Sequence, residues 1–164
     1  MNLIVAVDDN WGIGYQGDLL ARVSTDLKNF KRVTGGKTVV YGSNTLATFP
    51  GGRVLPNRTN IVLNWDPDYA PEGAIVVHSL EELFEELKKY PADEVFVIGG
   101  ASVYNQLLPY CDKAYVTKFL KTFESDVRIP NLDEAEDWQL IEAEEPMEVP
   151  DADFKIQFVE YKRK

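Results

Sequence analysis

Short apolar runs and segments of helical period alternate along the first two thirds of the chain. Leu3-Ile4-Val5-Ala6-Val7 is an unbroken apolar run of strand length, as expected for a strand covered on both faces. Val23, Leu27, Phe30 and Val33 or Thr34 then recur near helical spacing, with Ser24 or Thr25 as the N-cap. Runs at 37–42, 60–63 and 74–77 predict three more strands. The clearest helix follows. Ser79 and Glu82 have the spacing of a capping box, Leu80, Leu83, Phe84 and Leu87 share one face, and Pro91 lies just past the end. A buried strand at 94–98 turns through Gly99-Gly100 into a short helix carrying Val103, Tyr104, Leu107 and Leu108. From residue 113 the pattern is of strands alone, at 114–119, 138–143 and 154–161, with an acidic loop at 131–137.

Alternating strands and helices imply parallel pairing through crossovers, whereas a closing run of strands permits antiparallel pairs. The predicted fold is α/β, a single domain over residues 1–164. Its central sheet is mixed but mostly parallel and flanked by helices, with antiparallel strands at the C-terminal end.

Composition narrows the partners. At 164 residues, 45% hydrophobic and 12% aromatic, the chain has the apolar mass for one sizeable core. A net charge of −10 argues against a broad basic surface, so neither nucleic acid nor an anionic membrane is an expected partner. The single cysteine, Cys111, precludes a disulfide within the chain, and with one histidine, His78, too few ligands remain for a structural zinc site. No metal is expected. His78 lies beside the start of a predicted helix and reads as structural or solvent-facing. The opening MNLIVAVDDN lacks the basic region and long apolar run of a signal peptide, and no run is long enough to span a membrane. A cytoplasmic protein is expected.

Four features carry candidate chemistry. Gly12-Ile13-Gly14-Tyr15-Gln16-Gly17 matches a dinucleotide fingerprint literally, but Asp8-Asp9-Asn10-Trp11 separates it from the preceding strand. A flexible loop over a site is the better reading. Asp26, in the first turn of the first helix, is either an acid favoured by the helix dipole or a partly buried carboxylate. In the second case it can bind a cationic or amidine-like edge through two hydrogen bonds. Gly99-Gly100 is either a tight turn or a place where a phosphate approaches the backbone ahead of a helix. Arg58 is either plain surface or a forked partner for a carboxylate.

In order and spacing, these segments resemble the dihydrofolate reductase family along nearly the whole chain. The resemblance rests on 3–7, Gly12-Ile13-Gly14, Thr25-Asp26-Leu27-Lys28-Asn29-Phe30-Lys31, Gly42-Ser43-Asn44-Thr45 and the run from Phe49 to Asn60. Val97-Ile98-Gly99-Gly100 with Val103-Tyr104, Tyr115-Val116-Thr117, and Asp126-Val127-Arg128-Ile129-Pro130 complete it. It implies an enzyme that reduces dihydrofolate by hydride transfer from NADPH, acting as a monomer.

The resemblance also implies roles. Asp26 would bind the 2-amino group and N3 of the pterin and favour protonation at N5, with Thr117 sharing a water or hydrogen bond. Val5, Leu27, Phe30 and Phe49 would line the slot for the pterin and aminobenzoyl rings, and Arg58 would clamp the α-carboxylate of the glutamate tail. Backbone groups of Ala6 and Ile13, with Gly14 beside them, would hold the nicotinamide carboxamide, and Tyr104 would sit near its ring. Ile98, Gly99, Gly100, Ala101, Ser102 and Val103 would take the pyrophosphate together with Thr45. Ser43, Asn44 and Asn64 would meet the 2′-phosphate, and the segment from Trp11 to Leu20 would be a mobile lid.

Departures from the family pattern fall in two places. Leu20-Ala21 and Val23-Ser24 stand where Pro-Trp and Leu-Pro are usual, so a Trp that helps order water near the acid is missing. Ser43 and Ser102 replace basic residues that usually meet the cofactor's phosphates. NADPH remains the implied cofactor, with NADH used at reduced preference and discrimination weaker than usual; Lys37, or another Lys or Arg brought near by folding, is a candidate to restore the missing charge. The competing readings are another pterin or pyrimidine reductase of the same fold and a paralogue that binds folate or nucleotide without turnover.

Overall fold

A computed structural model describes residues 1–164. Eleven strands occur in chain order: β1 (Asn2–Val7), β2 (Gly12–Tyr15), β3 (Asp18–Leu19), β4 (Thr38–Gly42), β5 (Thr59–Leu63), β6 (Ala74–Val77), β7 (Val95–Gly99), β8 (Lys113–Phe119), β9 (Val127–Arg128), β10 (Trp138–Ala143) and β11 (Ile156–Arg163). The α-helices are α1 (Ser24–Thr34), α2 (Ser43–Leu46), α3 (Leu80–Leu87) and α4 (Ala101–Leu107). One eight-stranded sheet runs in the order β10-β11-β8-β1-β7-β4-β5-β6. From β8 to β6 all neighbours are parallel, whereas β11 is antiparallel to both β8 and β10.

The parallel strands are apolar at successive positions because both faces are covered. On β4, Val40 joins the main core with Leu3, Val97 and Leu107, while Val39 and Tyr41 point the other way and pack with Leu46 and Val62. Each fully buried aliphatic side chain contributes roughly 1.5–3 kcal/mol. The β10 edge stays in water, with Leu140 and Ile141 about half exposed. A bulge between Leu140 and Glu142 breaks its ladder, which discourages pairing with another chain.

Four local expectations need correction. Helix α1 starts one residue early, so its N-cap is Val23, which has no side-chain acceptor to offer. Asp151 supplies one instead, accepting the Ser24 N–H at 2.8 Å. The last strand begins at Ile156, because Phe154 leaves the ladder to pack against Phe119 and Phe123. In α3, Ser79 caps the Glu82 N–H as expected, but the Glu82 carboxylate accepts from His78 N–H, one residue outside the usual box.

The fourth correction bears on the site. The glycine-rich segment is a hairpin, β2–β3, joined by Gln16-Gly17 with φ of 50° and 81°. Positive φ at both turn residues gives the two-residue hairpin turn that matches strand twist. The distant β9 pairs with β2 on its other side, making a separate three-stranded sheet. No helix of the protein is long and apolar enough to cross a membrane.

Candidate active site

A cleft of about 1090 Å³ opens along the carboxyl ends of β1, β4, β5 and β7, where parallel α/β sheets place their ligands. The residues nominated for the pterin slot, the glutamate clamp and the cofactor groove all line it, whereas Lys37 and Trp11 do not. At one end lie Val5 on β1, Asp26, Leu27 and Phe30 on α1, Phe49, Arg58 and Thr117. At the other lie Ser43, Asn44 and Thr45 of α2, Asn64 after β5, and Ile98 to Val103 around the β7–α4 turn. Ala6, Ile13, Gly14 and Tyr104 also line the cleft.

Helix α1 turns an amphipathic face to this cleft rather than to the core. Leu27 is 43% exposed and lines the cleft wall together with Phe30. Asp26 stands beside it, and Thr117 Oγ1 donates to Asp26 Oδ1 at 2.6 Å across 91 residues of chain. Burial holds the Asp26 carboxyl above the usual carboxylate range, and the Thr117 hydrogen bond opposes part of that rise. The hydroxyl of buried Tyr104 donates to the Ile4 carbonyl at 2.7 Å and is pushed upward by burial and then by the Asp26 charge.

Arg58 is held without being used up. Its Nε donates to the Pro56 carbonyl at 3.0 Å, Nη1 donates to Thr34 Oγ1 at 3.3 Å, and the guanidinium lies 5.8 Å from the Phe30 ring centre. A guanidinium has five N–H groups, so its two terminal nitrogens retain free donors in the fork that suits a carboxylate. Burial lowers its proton affinity without threatening its charge.

The opposite end is floored by glycine. The Gly99–Gly100 peptide is cis and Gly99 has φ of 146°. A Cβ on Gly99 or Gly100 would lie 3.1 or 3.2 Å from Thr45 Oγ1, and one on Gly42 would lie 3.1 Å from Val103 Cγ2. Without those carbons, backbone N–H groups stay open to an extended ligand.

The hairpin closes one side. Asp126 pins it, accepting the Gln16 N–H at 3.0 Å while its own N–H donates to Gly14 O at 3.0 Å. At the root, the buried Asp8 carboxylate accepts from the N–H groups of Asn10, Gly12 and Phe123 at 2.9, 2.8 and 2.9 Å. The expected lid boundary is too early, because Trp11 is buried against Tyr161 and does not line the cleft. The hairpin tip instead reaches the far wall through Arg22, which bonds Asp18 at 3.1 Å and the Thr48 carbonyl at 3.3 Å.

Two other placements settle sequence-level questions. His78 is structural: its Nδ1 lies 2.7 Å from the Asn64 carbonyl, which can only accept, so Nδ1 carries the proton. Lys37 cannot serve the cofactor's phosphate. It precedes β4, at the opposite end of that strand from Ser43, and pairs with Glu94 at 3.3 Å. Sequence reading missed Arg22 and Trp65, both cleft residues. Only the apolar Trp65 carried a signal, standing without periodic partners in the turn-rich stretch Asn64-Trp65-Asp66-Pro67.

Fold and cleft together define an α/β enzyme built on one large, mostly parallel sheet, with a slot suited to a flat heterocycle leading into a groove for an extended ligand. The family model for dihydrofolate reductase matches residues 1–163. A dihydrofolate reductase of Bacillus subtilis (strain 168) is 36% identical over 164 residues, covering 100% of this chain and 95% of that protein. One of Staphylococcus haemolyticus is 35% identical over 144 residues, covering 88% and 84%. The solved dihydrofolate reductase of Enterococcus faecalis, complexed with NADP(H) and RAB-propyl, has a TM-score of 0.86 and 38% identity, covering 99% of this chain and 95% of that one. The chain belongs to the dihydrofolate reductase family.

Proposed function

We infer that this chain reduces 7,8-dihydrofolate to tetrahydrofolate with NADPH, as one functional domain acting as a cytoplasmic monomer. The observation that carries the reading is the Asp26–Thr117 pair at the closed end of a slot that opens into the Gly99–Gly100 groove. Asp26 meets the amidine-like edge of the pterin, where two N–H groups match its two oxygens. Val5, Leu27, Phe30 and Phe49 hold the rings, and Arg58 takes the carboxylate of the glutamate tail.

When bound, NADPH supplies the hydride, which reduces the N5=C6 bond at carbon while a proton reaches N5. The groove residues fit such a group, since the Gly99–Gly100 floor lets its diphosphate approach the backbone. Ala6 and Ile13 position the nicotinamide carboxamide through backbone groups, and Tyr104 borders its ring. Stacking the two rings in an apolar slot under the β2–β3 hairpin excludes water and supplies the alignment that hydride transfer needs. The Asp26 carboxylate favours the protonated pterin and so raises the supply of the reacting form. The test is the absorbance of reduced nicotinamide when NADPH, dihydrofolate and protein are mixed. One NADPH should be consumed per dihydrofolate, and binding without consumption would favour the non-catalytic paralogue.

The 2′-phosphate end carries a separate prediction. The cations lining the cleft are Arg22, Lys31 and Arg58, none of them from α2, α4 or the segment after β5. Ser43 and Asn64 bond each other at 2.9 Å and offer only neutral donors. Ser43→Arg should improve kcat/KM for NADPH by about tenfold, the scale of one charge-assisted hydrogen bond, and leave NADH nearly unchanged. The gain should fade as salt rises. Strong NADPH selectivity in the wild type, with no gain in the variant, would mean that the phosphate is already satisfied.

A further inference from the structure

Trp11 stands in the left-handed backbone region, with φ of 60°. A bulky residue keeps such a conformation only where its surroundings enforce it, and strain of this kind gathers at sites whose geometry matters. The enforcing contacts are all visible. The indole is 4% exposed, meets the Tyr161 ring edge-on with centres 5.9 Å apart, and lies 5.8 Å from the Lys118 ammonium. On the backbone, the Trp11 N–H donates to the Asp8 carbonyl at 3.1 Å, and the Trp11 carbonyl accepts from Ile129 N–H at 3.2 Å.

Both groups that touch the indole end at one carboxylate. The Tyr161 hydroxyl donates to Asp133 Oδ1 at 2.7 Å, and Lys118 Nζ donates to Asp133 Oδ2 at 2.6 Å. Burial opposes ionisation of Asp133, but these two bonds outweigh it and hold the carboxyl below the usual carboxylate range. The Asp133 N–H in turn donates to Asn131 Oδ1 at 2.9 Å, which fixes the residue in its loop. None of Trp11, Lys118, Asp133 and Tyr161 lines the cleft. Trp11 nevertheless leads straight into β2, two residues before Ile13 and three before Gly14, both of which do line it.

Resting on the function inferred above, we propose that Asp133 is a positioning residue for hydride transfer. Through Lys118 and Tyr161 it holds the Trp11 indole, and through Trp11 it holds the backbone of Ile13 and Gly14 against the nicotinamide. A tilt of the indole lets the strained φ relax, and the strand that begins at the next residue moves with it. The long Lys118 side chain has many other orientations open to it, so the carboxylate that receives its ammonium is what fixes it. The Lys118–Asp133 pair is partly exposed, so its removal costs the fold little.

The test compares Asp133→Asn with the wild type. Asparagine still accepts the Tyr161 hydroxyl but no longer pairs with Lys118. Single-turnover hydride transfer from NADPH to dihydrofolate should slow by about tenfold, less than the roughly hundredfold that a misplacement of about 1 Å can cost. Affinity for 2′,5′-ADP, which has no nicotinamide, and KM for dihydrofolate should each stay within about twofold, a split that a merely structural role would not give. Lys118→Met added to Asp133→Asn should slow the step no further, because both changes release the same indole. Amide hydrogen exchange of the ligand-free protein supplies a readout without turnover. Residues 11–15 should exchange about tenfold faster in Asp133→Asn, with β1 unchanged. An unchanged rate of hydride transfer, losses that add in the double variant, or unchanged exchange over 11–15 would overturn the proposal. So would an equal loss of 2′,5′-ADP affinity, which would make Asp133 a general support of the fold. A wild type that does not oxidise NADPH would refute the reductase reading, and the exchange experiment would still decide whether Asp133 holds the hairpin.

Discussion

Asp26→Asn is expected to fold, to be more stable than the wild type at neutral pH, and to lose about a hundredfold or more of its turnover with dihydrofolate. The stability gain follows from linkage. Burial raises the folded-state pKa of the Asp26 carboxyl above its unfolded value, so the folded protein holds the proton more tightly. As pH rises from the unfolded carboxyl's pKa through the folded one, the wild type loses stability relative to its unfolded chain. The penalty is absent below the unfolded pKa and grows as pH rises toward the folded one. Asparagine has nothing to ionise, and its carbonyl oxygen can still accept the Thr117 hydroxyl. The variant should therefore melt higher at neutral pH and match the wild type in acid.

Activity moves the other way. A buried carboxylate is costly in the empty cleft and recovers that cost against a cationic, two-donor edge. Positioned acid–base groups contribute typically a hundredfold to ten-thousandfold. The loss should shrink as pH falls, because protonated substrate then forms without help from the carboxylate. Melting curves and kcat/KM measured over the same pH range check both halves. A variant that is both destabilised and inactive would mean that Asp26 is a structural acid.

Arg58→Ala should raise KM for dihydrofolate about tenfold to a hundredfold and leave KM for the cofactor nearly unchanged. The magnitude is that of a charge-assisted, forked contact worth roughly 1.5–3 kcal/mol. Selectivity follows from place, since Arg58 precedes β5 whereas Asn64 and Trp65 follow it. Arg58 also bonds Thr34 and overlies Phe30, so a control must separate clamping from support. A pterin lacking the glutamate tail is that control: it should be turned over equally well by variant and wild type. Equal losses for both substrates would assign Arg58 to holding α1.

Much of the sheet was legible because its strands are covered on both faces and so read as apolar runs, such as 3–7 and 94–98, the latter observed one residue later as Val95–Gly99. Helix α3 was legible from its cap and its face. The β2–β3 hairpin was not, because Gly12-Ile13-Gly14-Tyr15 has little strand signal and pairs with β9, more than a hundred residues away. The cap of α1 hid for the same reason, its acceptor Asp151 lying 127 residues from Ser24. At the site, family spacing brought Asp26, Thr117, Arg58 and the Gly99–Gly100 turn to one cleft. Nothing local marked the Thr117–Asp26 bond or the Arg22 bridge, since each exists only between segments that folding joins.

The central claim is that the Asp26 carboxylate promotes reduction of a pterin bound against a nicotinamide. Single-turnover oxidation of NADPH by dihydrofolate tests it most directly, with wild type and Asp26→Asn compared from mildly acidic to mildly basic pH. The account predicts that the wild type is faster by about a hundredfold or more at neutral pH and that the gap narrows in acid. Superimposable profiles for the two proteins at neutral pH would contradict it.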